Sequence, residues 1–287
     1  MNDLILVTGG TGTIGSHLLK YLKEYGATVR VFARESKKAL RLREQGYDVV
    51  LGDFEDKQSV EKALKGVRKV FLNSPAGPQQ VAHQMAVVEA AINHNVAHIV
   101  KVSAMGAGPD STLNMGRWHN EIEQAIRTSD IPYTFLQANG FMQNFFAYAH
   151  SIKDQGRIYA PMAHAKYSAV DACDVARTAA RVLTGEGYEN QTYVLTGPSA
   201  IDMRDVARAV STAINKEVRY VPISPDDAEK NMRSMGMPDW LVEDLSELSR
   251  IYSENGASQV SEDINKLTGS RATDVSRFTQ DNWKRFS

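Results

Sequence analysis

Short apolar runs and amphipathic segments alternate through the first half of the chain. The strand-like runs are LILV, TVRVFA, DVVLGD, KVFLN, HIVKVSA and PYTFLQ. The helix-like segments between them are Ser16–Tyr25, Ser36–Gln45, Lys57–Leu64, Gln79–His94 and Met115–Ser129. Buried strands that alternate with helices favour a parallel sheet with helices packed on both faces. The pattern predicts an α/β protein built on a doubly wound parallel sheet.

The rhythm changes at about Asn139. Helical spacing returns at Asp174–Leu183, Asp202–Ile214 and Asp226–Asn255, and TYVLTG has the character of a strand. No internal repeat or long linker separates the two halves of the chain. We therefore expect a first domain over residues 1–138, to which later segments return. Residues 139–287 are expected to form a smaller, mostly helical C-terminal lobe together with segments of a substrate pocket.

A glycine-rich turn joins the first predicted strand to the first predicted helix. The stretch TGGTGTIG spaces three glycines at intervals of three residues. Such a turn lets the backbone approach a pyrophosphate, whose charge is met by N–H groups at the start of the helix. Glycines also serve turns without a ligand, but the strand–turn–helix context favours a Rossmann-type domain that binds a dinucleotide. The predicted contacts from this stretch are Thr8, Gly9, Gly12, Thr13, Ile14 and Gly15.

The end of the second strand bears on the choice between NAD and NADP. An acidic side chain there would accept from the ribose hydroxyls and repel a 2′-phosphate. The sequence has Arg34 at this place, followed by Lys37 and Lys38. A guanidinium binds phosphate through two hydrogen bonds. Solvated basic residues at a helix start are the alternative, and Glu35 opposes phosphate binding, but the pattern favours NADP(H) held by Arg34 and Lys38.

Residues after the other strands complete the predicted cofactor site, because ligands of open α/β sheets bind beyond the carboxyl ends of the strands. Asp53 is placed to accept from the adenine amino group with Phe54 alongside the ring, and a plain turn at the start of a helix is the alternative. The loop after the fourth strand is expected to pass over the adenosine, and a simple proline turn is the alternative. The remaining predicted contacts are Asn73, Ser74 and Pro75 in this loop and Ser103 after the fifth strand.

Composition narrows the class of partner. The chain has 33 Lys and Arg against 34 Asp and Glu, so no global field favours nucleic acid or an anionic membrane. The single cysteine, Cys173, excludes an internal disulfide and a multi-cysteine metal site, and no metal is expected. No signal-like start or long apolar run is present. We expect a cytoplasmic monomer or homodimer with a small-molecule partner.

With these loops placed, the chain resembles the NmrA-like family of atypical short-chain dehydrogenases, and within it the triphenylmethane-dye and quinone reductases. The resemblance covers nearly the whole chain. It is carried by TGGTGTIG, GDFEDKQSVEKAL, WHNEIEQAIRTSDIPYTFLQANGFMQNFF and GYENQTYVLTG. It implies a Rossmann-type domain with a mostly helical C-terminal lobe, NADP(H) binding, and either reductase activity or redox-responsive regulation.

The resemblance also directs attention to His119. Typical members of the wider superfamily use a Tyr-x-x-x-Lys pair for proton transfer, and this chain contains no such pair. His119 matches a family histidine that lies close to the nicotinamide, so it is the predicted catalytic residue. Glu123 follows four positions later, on the same helix face. A contact between the two would orient the imidazole toward the cofactor or merely stabilise the helix surface.

Aromatic residues after the sixth strand suggest the substrate. Hydride transfer to a quinone, azo or triarylmethane-type acceptor needs little proton catalysis, since the cofactor supplies the chemistry. The predicted contacts of such a planar acceptor are Asn139, Phe141, Met142 and Phe145, with packing between lobes and a turn before Gly140 as the alternatives. A catalytically weak NADP(H) sensor that acts on a protein partner would also lack the tyrosine and lysine, so both functions stay open.

Overall fold

The computed structural model describes residues 3–287. Its strands are β1 (Leu4–Thr8), β2 (Thr28–Ala33), β3 (Asp48–Leu51), β4 (Lys69–Leu72), β5 (His98–Ala104), β6 (Tyr133–Ala138), β7 (Arg157–Ala160), β8 (Gln191–Leu195) and β9 (Arg219–Pro222). Its helices are α1 (Thr13–Glu24), α2 (Lys37–Glu44), α3 (Lys57–Leu64), α4 (Gln80–Asn93), α5 (Asn114–Arg127), α6 (Ala149–Gln155), α7 (Ala172–Thr184), α8 (Met203–Ile214), α9 (Pro225–Ser234), α10 (Asp239–Ser253), α11 (Asp263–Thr268), α12 (Val275–Asp281) and α13 (Trp283–Phe286). A 3-10 helix spans Met142–Tyr148.

Two compact units divide the chain. The first comprises the residues up to Ser111, Met115–Gln137 and Ala172–Val194. The second comprises Thr112–Asn114, Ala138–Asp171 and Leu195–Ser287. Helix α7 and most of β8 therefore belong to the first unit although they follow residue 138.

The first unit is built on a parallel sheet in the order β3-β2-β1-β4-β5-β6-β8. Strand β1 pairs in parallel with β2 and β4, and β4 pairs in parallel with β5. The apolar runs form these strands because helices cover both faces, and Val7, Phe71 and Val100 are fully buried. The order reverses beside β1, between β1 and β4, which makes this edge the expected ligand-binding crevice. The predicted α/β doubly wound fold is confirmed.

The second unit is mostly helical and has its own small sheet and aromatic core. Strands β7 and β9 pair in parallel, from Arg157 opposite Arg219 to Ala160 opposite Pro222. The ring of Phe146 stacks on Phe278 with 5.5 Å between centroids. The sequence pattern did not predict the short strands β7 and β9, because RIYA and RYVP each begin with an arginine and form no continuous apolar run.

One predicted helix is wrong in its length. The segment Asp226–Asn255 forms two helices, α9 and α10, rather than one. Gly236 lies between them with a φ of 72°, and Pro238 follows. A left-handed glycine ends a helix, and a proline cannot continue one, so the chain stops and restarts here. In the segment that the structure covers, no helix is long and apolar enough to cross a membrane.

Candidate active site

The glycine turn follows β1 and requires glycine for three different reasons. Gly9 adopts the left-handed conformation, with a φ of 66°. A Cβ on Gly15 would lie only 2.3 Å from the carbonyl oxygen of Gly9, so helix α1 packs directly against the turn. A Cβ on Gly12 would lie 3.2 Å from the same oxygen, a close but less severe contact. Gly12 is exposed and adjoins the first turn of α1, so it is the position that limits approach of a ligand.

The start of helix α1 is suited to an anion. Gly12 is its N-cap, so no side chain caps the first N–H groups, and the first turn contains no acidic residue. Unsatisfied N–H groups and the helix dipole both favour a phosphate at such an end. Thr13 is exposed here, whereas the side chain of Ile14 is buried, which leaves only the backbone of Ile14 to contact a ligand.

Thr8 connects the glycine turn to the loop after β4. Its hydroxyl accepts from the Asn73 N–H at 2.9 Å and lies 2.8 Å from the Asn73 carbonyl oxygen, to which it donates. The side chain of Thr8 is fully buried. In the same loop, Ser74 Oγ accepts from Gln84 Nε2 at 3.0 Å, and Pro75 is exposed. Thr8 thus holds together the two loops beside the switch point, with its hydroxyl directed inward.

A basic cavity of about 350 Å³ adjoins the glycine turn. Lys20, Lys38 and Arg41 line it, together with Thr11, and no carboxylate does. Lys38 Nζ lies 3.4 Å from the Thr11 carbonyl oxygen, which holds this ammonium against the turn. Sequence reasoning did not single out Lys20 or Arg41, although Arg41 follows Lys38 by three positions on helix α2. Three cations without an opposing carboxylate have the charge that a phosphate group requires.

Arg34 lies at the end of β2 and is exposed. Within residues 3–287 it forms no ion pair, so its charge is not neutralised by a carboxylate. Its neighbour Ser36 caps helix α2 by accepting from the Ala39 N–H. The structure therefore leaves the guanidinium available at the place where the sequence predicts phosphate binding.

The residues after β3 are partly engaged within the protein. Asp53 Oδ1 accepts from the Glu55 N–H at 3.1 Å, as a helix-initiating turn would require. The ring of Phe54 packs edge-on against Phe32 and stacks on His83, with 5.4 Å between centroids in each case. One face of Phe54 is thus covered by His83, so an adenine would have to use the remaining ring edge or face. The predicted adenine contacts of Asp53 and Phe54 stay predictions.

The predicted catalytic residue, His119, lies beside a lysine that sequence reasoning missed. Lys101, on β5, is fully buried, and its Nζ lies 2.7 Å from His119 Nδ1 on α5. The same Nζ donates to the Val102 carbonyl oxygen at 3.0 Å. Gln80 Nε2, from α4, lies 3.2 Å from His119 Nε2 and 3.3 Å from Nδ1, against the ring. His119 itself is only partly buried. The lysine inside the apolar run HIVKVSA was the sequence feature that could have pointed to Lys101 as a partner of His119.

Burial and proximity shift the protonation of both groups. Burial lowers the pKa of Lys101 to about 7, because a dry environment disfavours the ammonium, while the Glu123 charge opposes this shift. Burial also lowers the pKa of His119 well below its ordinary value, and the neighbouring Lys101 charge lowers it further. At neutral pH the imidazole is therefore neutral, and the titrating proton of the pair resides on Lys101.

The contact between His119 and Glu123 that the sequence suggested does not form, because Glu123 has other partners. Glu123 accepts from Ser103 Oγ at 2.5 Å and from Gln137 Nε2 at 3.1 Å, and Arg127 approaches its other oxygen at 3.8 Å. Residues four apart share a helix face, but β5 and β6 pack against that face and supply these partners. Ser103, a predicted cofactor contact, directs its hydroxyl at this carboxylate.

The predicted substrate residues lie in the second unit. Asn139 is 5% exposed, and its amide donates to Ser168 Oγ and to the Ala257 carbonyl oxygen. Met142 and Phe145 are 1% exposed, whereas Phe141 is partly buried. Among these four, Phe141 has the most accessible side chain. Contact of all four with an acceptor remains a prediction.

Two tyrosines that stack beside Gly140 add to this region. The rings of Tyr167 and Tyr252 have centroids 4.4 Å apart. A Cβ on Gly140 would lie 2.4 Å from the Tyr252 hydroxyl, so a larger residue here would displace that hydroxyl. Burial raises the pKa of both phenols, which stay protonated and able to donate at neutral pH. Across residues 3–287, no cluster of three histidine, cysteine or acidic side chains could hold a metal ion.

A doubly wound sheet with a glycine turn at its switch point and a basic cavity beside it defines a dinucleotide-binding protein of the Rossmann type. Comparison with known families makes this more specific: the chain belongs to the NmrA-like family, whose family model matches residues 1–286. The resemblance read from the sequence motifs is therefore confirmed.

Three proteins similar to the chain are reductases. The chain is 38% identical to the NAD(P)H azoreductase of Xenophilus azovorans, over 96% of this chain and 97% of the relative. It is 30% identical to quinone oxidoreductase 2 of Escherichia coli strain K12, over 94% and 95% of the two chains. The crystal structure of Citrobacter sp. triphenylmethane reductase complexed with NADP(H) is similar at a TM-score of 0.86, with 29% identity and coverage of 97% and 99%.

Proposed function

We propose that the chain is an NADPH-dependent reductase that transfers hydride to a planar quinone, azo or triarylmethane-type acceptor. The observation that carries the cofactor assignment is the basic cavity beside the glycine turn, which Lys20, Lys38 and Arg41 line without any carboxylate. Such a cavity attracts a 2′-phosphate, and the uncapped start of α1 attracts the pyrophosphate. The acceptor class is supported by the azoreductase and quinone oxidoreductase relatives.

NADPH would supply the hydride when bound, so the protein must bind and orient it. A quinone or azo acceptor also needs one proton, whereas a triarylmethane cation needs none. Residues Thr8, Gly9, Gly12, Thr13, Ile14, Gly15, Arg34, Lys38, Asp53, Phe54, Asn73, Ser74, Pro75 and Ser103 stay the proposed cofactor site. His119 is the proposed proton donor, and Asn139, Phe141, Met142 and Phe145 are the proposed acceptor contacts. We also propose that the protein acts in the cytoplasm as a monomer or homodimer.

Cofactor titration and turnover test this function together. The purified protein is titrated with NADPH and NADH, and NADPH oxidation is then followed with menadione, methyl red and malachite green. We expect tighter binding of NADPH than of NADH and oxidation with at least one acceptor. Equal affinity for the two cofactors would refute the NADP assignment. NADPH binding without oxidation by any acceptor would refute the reductase.

A further inference from the structure

A buried lysine without a carboxylate within hydrogen-bond distance is an unusual feature of β5. Lys101 is 0% exposed, and its Nζ lies within hydrogen-bond distance of the Val102 carbonyl oxygen and His119 Nδ1. An ammonium has three N–H donors and is costly to bury, so such a lysine needs a reason to persist inside the first unit. Within the described part of the chain, Lys101 forms no hydrogen bond with a residue of the predicted cofactor site.

The titratable and polar groups around the Lys101–His119 pair come from three elements, β5, α5 and α4. Lys101 and its neighbour Ser103 are on β5, and His119, Glu123 and Arg127 are on α5. Glu123 accepts a hydrogen bond from Ser103 and forms an ion pair with Arg127, so its negative charge is partly neutralised by groups other than Lys101. From α4 the neutral amide of Gln80 lies against the imidazole. His119 is therefore the group through which a proton on Lys101 can leave its buried position.

A neutral imidazole can donate a proton only if it gains another. With Lys101 donating to Nδ1, the ring carries its own proton on Nε2. Loss of that proton alone would leave an imidazolate, which is far too basic to form at neutral pH. Transfer from Lys101 to Nδ1 in the same step keeps the ring neutral throughout.

We propose that Lys101 supplies the proton that replaces the one His119 donates to the acceptor. As the quinone oxygen or azo nitrogen becomes an anion on receipt of hydride, His119 gives it the proton of Nε2, and the Lys101 ammonium gives a proton to Nδ1. A triarylmethane cation becomes neutral on receipt of hydride and takes no proton. The N–H bonds of Nε2 and of Lys101 break, and new bonds form at the acceptor and at Nδ1.

Lys101 ends as a neutral amine and regains its proton from solvent through His119. Lys101 acts through His119 and is a positioning residue. The proposal rests on the proposed reductase function.

Substitution of the lysine tests this arrangement without relying on turnover alone. The ¹⁵N shifts of the His119 ring, assigned by their loss in His119→Gln, are followed against pH in the cofactor-free protein. In the wild type we expect a shift midpoint near pH 7 that reports Lys101 while the ring stays neutral. In Lys101→Met this midpoint disappears, and His119 protonates closer to its ordinary pKa of about 6.5. An unchanged midpoint in Lys101→Met would overturn the proposal.

Turnover with menadione separates a lysine that supplies a proton from a mere cation. Lys101→Met and Lys101→Arg should each lower kcat by about 10-fold to 1,000-fold with KM and NADPH affinity little changed, because a guanidinium does not release its proton. Lys69→Met, which removes a partly buried lysine from the neighbouring strand β4, is the matched control and should keep the wild-type kcat. Full activity of Lys101→Arg would overturn the proposal. Absence of NADPH oxidation in the wild type would instead refute the reductase function. The His119 titration would still test the interaction between Lys101 and His119.

Discussion

A Cβ atom on Gly15 would lie 2.3 Å from the Gly9 carbonyl oxygen, well inside van der Waals contact. Gly15 is therefore required for packing of α1 on the turn. Gly12 tolerates a Cβ better, at 3.2 Å from the same oxygen, and is exposed. One motif thus combines a glycine that maintains the fold with one that admits a ligand.

Gly12→Val should abolish NADPH binding while the fold persists, because the added side chain occupies the approach to the start of α1. Gly15→Ala should instead lower the free energy of unfolding by about 3 kcal/mol or more, since backbone must move. NADPH fluorescence titration and urea unfolding measure the two effects. Retention of NADPH affinity in Gly12→Val would assign the whole motif to structure.

Arg34→Ala and Lys38→Ala should each weaken NADPH binding by about 10-fold to 100-fold and leave NADH binding unchanged. The reason is the loss of one charge-assisted contact to the 2′-phosphate, worth about 1.5–3 kcal/mol. Lys23→Ala removes another α1 cation, outside the basic cavity, and serves as the control. A parallel loss of NADH affinity would contradict this assignment.

Lys101 should make stability depend on pH. Its pKa is lowered to about 7 in the folded protein, from an ordinary value near 10.4 in the unfolded chain. Between these values the unfolded chain holds more protons, so the free energy of unfolding rises with pH. Relative to Lys101→Met, the wild type should gain about 1.4 kcal/mol per pH unit from about pH 7.5 to 9. Urea unfolding at several pH values measures this difference, and a constant difference would contradict the shift.

Asn139→Ala should destabilise the second unit. The buried amide donates to Ser168 and Ala257 and accepts from the Gly140 N–H, and its loss leaves these groups unpaired. We expect a loss of about 2–4 kcal/mol in the free energy of unfolding. A rise in KM for menadione in the folded variant would support the predicted acceptor contact as well. Unchanged stability would contradict the structural account.

Much of the first unit followed from local patterns. Buried parallel strands are continuous apolar runs, and the glycine turn has a local cause, so β1, the turn and α1 were predictable. The partners of α5 were not. Helical spacing correctly placed His119 and Glu123 on one face, but only the packed sheet determines that His119 meets Lys101 and Glu123 meets Ser103.

The second unit was less predictable because its elements are short or held by distant contacts. The break between α9 and α10 depends on Gly236 and Pro238, which helical spacing alone does not weigh. The amide of Asn139 reaches Ala257, which is 118 positions away, and no local pattern reports such a contact. Residues that looked available for a ligand in sequence, such as Met142, are buried in the folded chain.

Anaerobic turnover with NADPH deuterated at both C4 hydrogens of the nicotinamide tests the central claim most directly. Menadione, methyl red and malachite green are each supplied as acceptor, and cofactor consumption and product mass are measured. We expect one NADPH oxidised per acceptor reduced in at least one case, a slower hydride step with the deuterated cofactor, and one deuterium on the central carbon of leuco-malachite green wherever that dye is the acceptor. A protein that binds NADPH tightly yet consumes it with none of the three acceptors would contradict the reductase function and favour the NADP(H) sensor.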